Sequence, residues 1–183
     1  KYFQNVKDIV RKDFTFKKEI LDPCKEIVRE LKDPIFMHLR RGDYAVNPDA
    51  HPICSISYYE KALELFEKDS PVLVFSDDIG WCQEQEFFKD DRFMLSEYNE
   101  KYPQTCDTLE GRQNALIPYF DLCMMSLCTG GIIANSTMSW WGAWLIQNPT
   151  QPIVAPNPWF GKFYNHYDMS DLLPQGWVEV EYE

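Results

Sequence analysis

Short apolar runs that alternate with helical patterns are the feature that most constrains how this chain folds. Residues 35–39, 72–75, 92–95, 131–134 and 152–155 each have the length and composition of a buried strand, and helix-patterned segments separate most of them. Parallel strands need a long crossover between them, usually a helix, whereas antiparallel neighbours need only a short turn. The alternation therefore predicts an α/β fold, a Rossmann-like parallel sheet with helices on both faces.

The length of 183 residues suits one domain with a small appendage. Before the first strand, Asp22 and Pro23 have the residue types of an N-cap and a first helical position, and they predict a helix that ends before Asp33. We therefore expect an amino-terminal helical or linker segment over residues 1–33 and the Rossmann-like domain over residues 34–183.

The net charge of −11 argues against a general binder of nucleic acid or of anionic membranes, because both need a basic surface. No apolar run has the length of a membrane span and no signal peptide is recognisable, so we expect a cytoplasmic protein, free or peripherally membrane-bound, with no integral membrane segment. The six cysteines lack metal-ligand spacing. They therefore predict no metal site, and we expect them to be reduced thiols in the core.

Polar clusters follow three of the predicted strands. "RRGDY" follows the strand at 35–39, "SDD" the strand at 72–75, and "NST" the strand at 131–134. Because the carboxyl ends of parallel strands meet at one edge of a sheet, the three clusters should converge there, where α/β proteins bind their ligands. This convergence is a stronger signal than any single cluster.

Arg40 and Arg41 suit a diphosphate, since guanidinium groups are always charged and present a planar fork to phosphate oxygens. Gly42 would let the backbone turn or approach a ligand closely. Asp43 could orient an arginine or take a proton. The alternative is a salt-bridged strand end in which Asp43 pairs with Arg41.

The other two clusters lie where helices begin. Asn135, Ser136 and Thr137 would place free N–H groups and hydroxyls at a helix N-terminus, which suits an anion, although an ordinary N-cap is the alternative. The same three residues form a glycosylation sequon, which a strand-to-helix turn disfavours as an acceptor. Asp77 could bind a metal or a ribose, or cap the following helix, as could Asp78.

Two further side chains are candidates because of their surroundings. His38 lies in the first strand two residues before Arg40, which favours a role in the site over that of a core histidine. Asp121 lies in an apolar helical stretch, where an unpaired carboxylate would be costly. It therefore needs a protein partner or a ligand donor, such as a guanine edge.

Two other functional classes are less consistent with these patterns. Arg41-Gly42-Asp43 is also the integrin-recognition triplet, but an adhesion motif needs an exposed flexible loop, and this triplet directly follows a buried strand. The chain contains neither G-x-x-x-x-G-K-[ST] nor G-x-G-x-x-G, which disfavours a P-loop NTPase and a standard dinucleotide dehydrogenase.

Three motifs, "HLRRGDY", "FSDDIGW" and "DLCMMSLCTGGIIANSTMSWWGAWL", together resemble the α-1,2-fucosyltransferase family, glycosyltransferase family eleven. The resemblance extends from about Pro34 to Trp159. It implies one half of a two-domain GT-B-type glycosyltransferase, with the upstream domain missing from this chain. It also implies an enzyme that transfers L-fucose from GDP-fucose to a sugar hydroxyl, α-1,2 to galactose, with inversion and without a metal or other cofactor. The implied partners are the nucleotide-sugar donor and a glycan acceptor.

The resemblance also implies roles for individual residues, partly through the "H-x-R-R-x-D" pattern shared with the more distant α-1,6-fucosyltransferases. Arg40 would clamp the β-phosphate with help from His38 and Arg41. Asp121 would meet the guanine, and Ser136 or Thr137 the diphosphate. Inversion needs a base for the acceptor hydroxyl, and the candidates are Asp43 and Asp49. The alternative function is a GDP or nucleotide-sugar-binding module without catalytic activity.

Overall fold

A parallel sheet lies at the centre of the fold, as the alternation of apolar runs predicts. The computed structural model describes residues 4–96 and 117–182. Its six strands lie in the order β3-β2-β1-β4-β5-β6, and every neighbouring pair is parallel. The strands are β1 (Ile35–Leu39), β2 (Val72–Ser76), β3 (Phe93–Leu95), β4 (Gly131–Ile132), β5 (Ile153–Asn157) and β6 (Val178–Glu181). This is the strand order of the Rossmann fold, so the predicted fold class is confirmed.

Helices cover both faces of the sheet. They are α1 (Lys7–Asp13), α2 (Lys18–Glu30), α3 (Ile56–Leu63), α4 (Ile79–Glu84), α5 (Ile117–Leu127) and α6 (Thr137–Leu145). Buried side chains of α2, α5 and α6 form one apolar cluster with Phe36 of β1, whereas those of α3 and α4 form a second cluster with Ile35 and Met37 of the same strand. Successive strand residues point to opposite faces, so β1 contributes to both layers.

A glycine in β4 allows the tight packing beneath α5 and α6. A Cβ on Gly131 would lie 2.3 Å from a ring carbon of Phe36, which is itself fully buried. Any larger side chain would have to displace that ring from the centre of the core, where density is close to that of an organic crystal. Gly131 therefore lets the sheet and its aromatic layer approach each other directly.

The amino-terminal helix prediction was wrong about where α2 begins. The helix begins at Lys18 rather than at Pro23, so the proline lies inside it. Ile20, Cys24 and Ile27 form one apolar stripe that packs into the same cluster as α5. Burial of this stripe outweighs the backbone hydrogen bond that Pro23 cannot donate.

The edge strand β6 was not predicted at all. Val178–Glu181 alternates valine with glutamate, and three of its four residues are exposed. It pairs in parallel with β5 at the edge of the sheet. Such a short, charged strand at the end of a chain carries little apolar signal, because only one side of it is covered.

Two further expectations concern the cysteines and membrane spans. The cysteines in the described residues, Cys24, Cys54, Cys82, Cys123 and Cys128, are buried free thiols. Among the described residues, no helix combines the length and apolar character that a bilayer crossing requires.

Candidate functional site

The polar clusters converge at the point where the strand order reverses. β1 lies between β2 and β4, so the connections that leave β1 and β4 diverge and open a crevice beyond their carboxyl ends. Ligands of open α/β sheets bind in this crevice. The first cluster follows β1, and Asn135–Thr137 follows β4. The Tyr44 hydroxyl donates to the backbone carbonyl of Asn135 at 3.0 Å, which ties the two loops together across the crevice.

An interlocked set of ion pairs fixes the arginines at this edge. Arg40 contacts Asp43 at 2.7 Å and Asp77 at 3.2 Å, while the backbone N–H of Arg41 donates to Asp77 at 2.9 Å. Asp77 thus uses both carboxylate oxygens to hold the two arginines side by side. A Cβ on Gly42 would lie 2.6 Å from an Asp77 oxygen, so this close approach depends on the glycine. The structure therefore gives Asp77 a positioning role.

Arg41 is held in a second way. Its guanidinium carbon lies 3.5 Å from the ring centroid of Trp81, and its Nε is 3.3 Å from Asp78. Asp78 also caps α4 by accepting from the Trp81 N–H at 3.2 Å. Arg41 is therefore stacked and paired rather than displayed on a loop. This arrangement does not support the interpretation of Arg41-Gly42-Asp43 as an adhesion motif. It also lacks the ion pair between Arg41 and Asp43 that the alternative of a salt-bridged strand end predicts, because Asp43 pairs with Arg40 instead.

The beginning of α6 offers an uncompensated helix terminus. Ser136 is the N-cap but its hydroxyl makes no capping hydrogen bond, and Thr137, the first helical residue, is exposed. The first N–H groups of a helix have no partner within it, and the helix dipole places partial positive charge there. Ser136, which is 8% exposed, and the exposed Thr137 thus lie at a helix N-terminus whose partial positive charge suits an anion.

Asn135 has a different role from its two neighbours. Its side chain is only 2% exposed, and Nδ2 donates to the carbonyl of Pro52 at 2.9 Å and to that of Trp159 at 3.0 Å. These carbonyls belong to the loops that follow β1 and β5, so one amide joins three loops of the edge. The structure therefore leaves neither amide hydrogen of Asn135 for a ligand. Its burial also agrees with the expectation that the sequon is not a glycan acceptor.

His38 is a neutral imidazole beneath the arginines. It is 4% exposed, and burial together with the nearby Arg40 charge lowers its pKa to about 3. Its Nδ1 is buried without a hydrogen-bond partner among the described residues. A buried polar atom without a partner is costly, and such atoms are often found at functional sites. His38 therefore has no charge to contribute but retains one unused hydrogen-bonding atom.

Asp121 lies at the same edge, beyond β2. The Ser96 hydroxyl donates to it at 3.5 Å, and the Ser96 backbone N–H donates to the carbonyl of Val74. Burial raises the pKa of Asp121 to about 7, and the Ser96 hydrogen bond offsets only part of that rise. The carboxyl group therefore changes charge near neutral pH. It also lies on the β2–β3 side of the arginines, because its partner Ser96 directly follows β3.

The two candidate bases lie in the loop after β1 but have different partners. Asp43 is exposed and paired with Arg40, whereas Asp49 is 2.9 Å from Lys162, which lies in the loop after β5. The backbone carbonyl of Asp49 also accepts from the Phe163 N–H at 3.0 Å. Asp43 is thus coupled to Arg40, and Asp49 to the loop after β5.

Known proteins resemble this chain over nearly all of its residues. The model of glycosyl transferase family 11 matches residues 1–181. The chain belongs to this family. Two Escherichia coli relatives were found: the O-antigen biosynthesis glycosyltransferase WbnK, at 30% identity over 98% of this chain, and an alpha-1,2-colitosyltransferase, at 33% identity over 99%. The chain spans 59% of the length of each relative. The resemblance to family eleven is therefore confirmed, and the match extends beyond residues 34–159 to residues 1–181.

Several residues of this family 11 site were missed from the sequence. Trp81 and Tyr44 place aromatic rings against Arg41 and Arg40, with Tyr44 5.7 Å from the Arg40 guanidinium carbon. Lys162 pairs with Asp49. Tyr44 and Trp81 both fall within the recognised "HLRRGDY" and "FSDDIGW" motifs, so an aromatic residue close to an arginine was a usable signal. Lys162 had none, because nothing local indicates that the loops after β1 and β5 meet.

Proposed function

We propose that this family 11 chain transfers L-fucose from GDP-fucose to a sugar hydroxyl, forming an α-1,2 linkage to galactose with inversion at the anomeric carbon. One observation supports the proposal: two fixed arginines follow β1 and an uncapped helix N-terminus follows β4, the two neighbouring strands of the topological switch point. Both elements favour a doubly charged anion, and their separation by one strand position suits the two phosphates of a nucleotide diphosphate.

In the reaction that we propose, the bond between the anomeric carbon and the β-phosphate oxygen breaks as the acceptor oxygen attacks from the opposite face. The electron pair of the broken bond passes to the departing GDP, and the acceptor proton passes to a carboxylate. Arg40 and the N–H groups at the start of α6 would stabilise the charge that develops on the β-phosphate. Asp77 already holds Arg40 in position, so the main reorganisation is the displacement of its second partner, Asp43.

The acidic residues around the arginines modulate this site. Arg40 and Arg41 face Asp43, Asp77 and Asp78, so the group carries more negative than positive charge before a ligand binds. A diphosphate would therefore have to replace a carboxylate as the partner of Arg40. Asp43 is the more exposed of its two partners and the easier to displace. A displaced Asp43 would lie beside the reacting centre, which favours it over Asp49 as the base.

Guanine recognition is assigned in this proposal to Asp121. Guanine presents two adjacent donors on its pairing edge, which an ionised carboxylate accepts well. With a pKa of about 7, Asp121 would be fully ionised only above neutral pH, unless guanine donors themselves favour the charged form. The affinity for GDP should therefore increase between pH 6 and pH 8. The chain should also bind GDP more tightly than nucleotides whose bases lack the two adjacent donors of guanine.

Arg40→Ala tests the phosphate contact. We expect GDP affinity to fall by about 1.5–3 kcal/mol, or roughly 10- to 150-fold, because a hydrogen-bonded charge is removed. Arg29→Ala is the charge-matched control, since this exposed arginine lies in the last turn of α2, at the other end of the sheet from the switch point. Equal GDP affinity for the two folded variants would contradict the assignment of Arg40.

Release of GDP from GDP-fucose, with and without lactose as acceptor, distinguishes the transferase from its alternative. A transferase releases GDP faster when lactose is present. A nucleotide-sugar-binding module binds GDP-fucose but releases no GDP, whether or not lactose is present. Because one relative is named for transfer of colitose, the same assay should compare GDP-linked fucose and colitose. If GDP-colitose is the better donor, the proposed site and mechanism stand, and only the identity of the transferred sugar changes.

A further inference from the structure

A cavity of about 410 Å³ lies beside the crevice, at the carboxyl end of β5. Its walls come from the loop that follows β5 and from the segment that leads into β6. Trp159, Tyr164, Tyr167 and Trp177 supply aromatic rings, and Asn157 and Glu179 are among the polar residues of its lining. The cavity is therefore separate from the residues assigned to the nucleotide. It extends along the sheet from Trp177, which precedes β6, to Asn157 at the carboxyl end of β5.

The lining chemistry suits an uncharged, polyhydroxylated ligand. None of the described residues that line the cavity is a lysine or an arginine, so it lacks the groups that bind a phosphate. Its rings offer flat apolar surfaces, and its amide and carboxylate groups offer donors and acceptors at their margins. A pyranose ring has one face of C–H groups and a perimeter of hydroxyls, which matches both kinds of surface.

Packed rings connect the cavity to the arginines. The Tyr164 ring is 5.9 Å from His51, whose ring stacks on Tyr44 at 4.9 Å, and Tyr44 lies beneath Arg40. Backbone contacts strengthen the connection: the Gly161 N–H donates to the carbonyl of Ala50 at 2.9 Å. The cavity is therefore connected, through Tyr164 and His51, to the loop that carries both candidate bases.

A larger cavity, of about 770 Å³, is less suitable for a reacting sugar. It is lined by Arg11, Trp140 and Trp144 and reaches Pro152 and Ile153, at the beginning of β5. The beginning of a parallel strand lies at the opposite edge of the sheet from the arginines. The two cavities share residues of the segment 169–177, but a sugar bound at the beginning of β5 would lie at the far edge of the sheet from a donor at the switch point.

We propose that the smaller cavity, walled by Tyr164, Tyr167 and Trp177, binds the acceptor glycan and stacks a terminal hexopyranose on its rings. The inference rests on the proposed function, since it supplies the acceptor site for the same transfer. Stacking would present a hydroxyl of that sugar toward the loop after β1. Tyr167 is then a specificity-determining residue.

Two exposed aromatic residues of the same loop provide a matched test. Tyr167 is 55% exposed and lines the cavity, whereas Phe163 is 56% exposed and is not part of the lining. Saturation-transfer NMR with lactose, a disaccharide that ends in β-galactose, should detect binding to the wild-type chain. We expect Tyr167→Ala to weaken lactose binding at least tenfold and Phe163→Ala to leave it unchanged. Absence of lactose binding to the wild type, or equal effects of the two substitutions, would overturn the proposal.

GDP titration of the same samples separates this inference from the function on which it rests. If GDP binds normally and lactose binds without dependence on Tyr167, the acceptor proposal fails and the donor proposal stands. If lactose binding depends on Tyr167 but GDP does not bind, the cavity is a glycan site and the donor proposal fails. In a chain that turns over, Tyr167→Ala should raise the KM for lactose and leave the KM for GDP-fucose unchanged.

Discussion

Replacement of Asn135 by alanine should destabilise the fold, although the residue lies in a cluster that resembles a ligand site. The substitution removes the donors that serve the carbonyls of Pro52 and Trp159. The contact with Trp159 is buried, so its carbonyl would lose a partner that water cannot readily replace, at about 1–3 kcal/mol. The contact with Pro52 is partly buried and should contribute about 0.5–1.5 kcal/mol.

We therefore expect Asn135→Ala to lower the free energy of unfolding by about 2–4 kcal/mol in urea titrations followed by tryptophan fluorescence. Ser136→Ala is the matched neighbour, because the Ser136 hydroxyl makes no capping hydrogen bond. It should change stability by less than about 0.5 kcal/mol and should instead weaken GDP binding. If Asn135→Ala proves as stable as Ser136→Ala, the amide does not hold the three loops together and our reasoning is wrong.

Three other substitutions have outcomes that follow from the structure. Gly131→Ala places a Cβ 2.3 Å from an aromatic ring and should lower the free energy of unfolding by about 1–3 kcal/mol. Gly80→Ala, in α4, meets nothing within 4 Å and should raise the free energy of unfolding by up to about 1 kcal/mol. Similar urea midpoints for the two variants would contradict this packing. Because the pKa of Asp121 is raised in the folded protein, its contribution to stability is fully present below pH 3.8 and is lost as the pH rises through about 7. The stability of Asp121→Asn relative to wild type should therefore increase from pH 4 to pH 7, and a constant difference would argue against the raised pKa. Trp81→Leu removes the ring stacked on Arg41 and should weaken GDP binding by about 0.5–2 kcal/mol in calorimetry, and unchanged affinity would mean that the stacking does not position this arginine.

The parts of the fold that depend on local sequence were predicted well. β1 was predicted with both of its ends correct, because Ile35–Leu39 is buried throughout and is followed at once by charged residues. The convergence of the first and third clusters followed from parallel topology alone. The start of α2 and the presence of β6 were not predicted, since tertiary burial decides the first and an exposed edge strand carries little apolar signal.

The partners within the site depend on strand register, which the sequence does not reveal. Leu39 pairs with Ser76, and this register places Arg40 beside Asp77. A shift by one residue would exchange Asp77 for a neighbour and turn it to the other face. For the same reason, the role of Asn135 became apparent only from the structure, because its two partners lie 83 and 24 residues away along the chain.

The most direct test of the proposed function is a calorimetric titration of the chain with GDP, UDP, ADP and CMP in the presence of EDTA. We predict that GDP binds more tightly than the other three without added metal, and that this preference is reduced in Asp121→Asn. Equal binding of all four nucleotides would leave a phosphate site without guanine recognition. Absence of GDP binding to the folded chain would contradict the assignment of the switch-point arginines to a GDP-sugar.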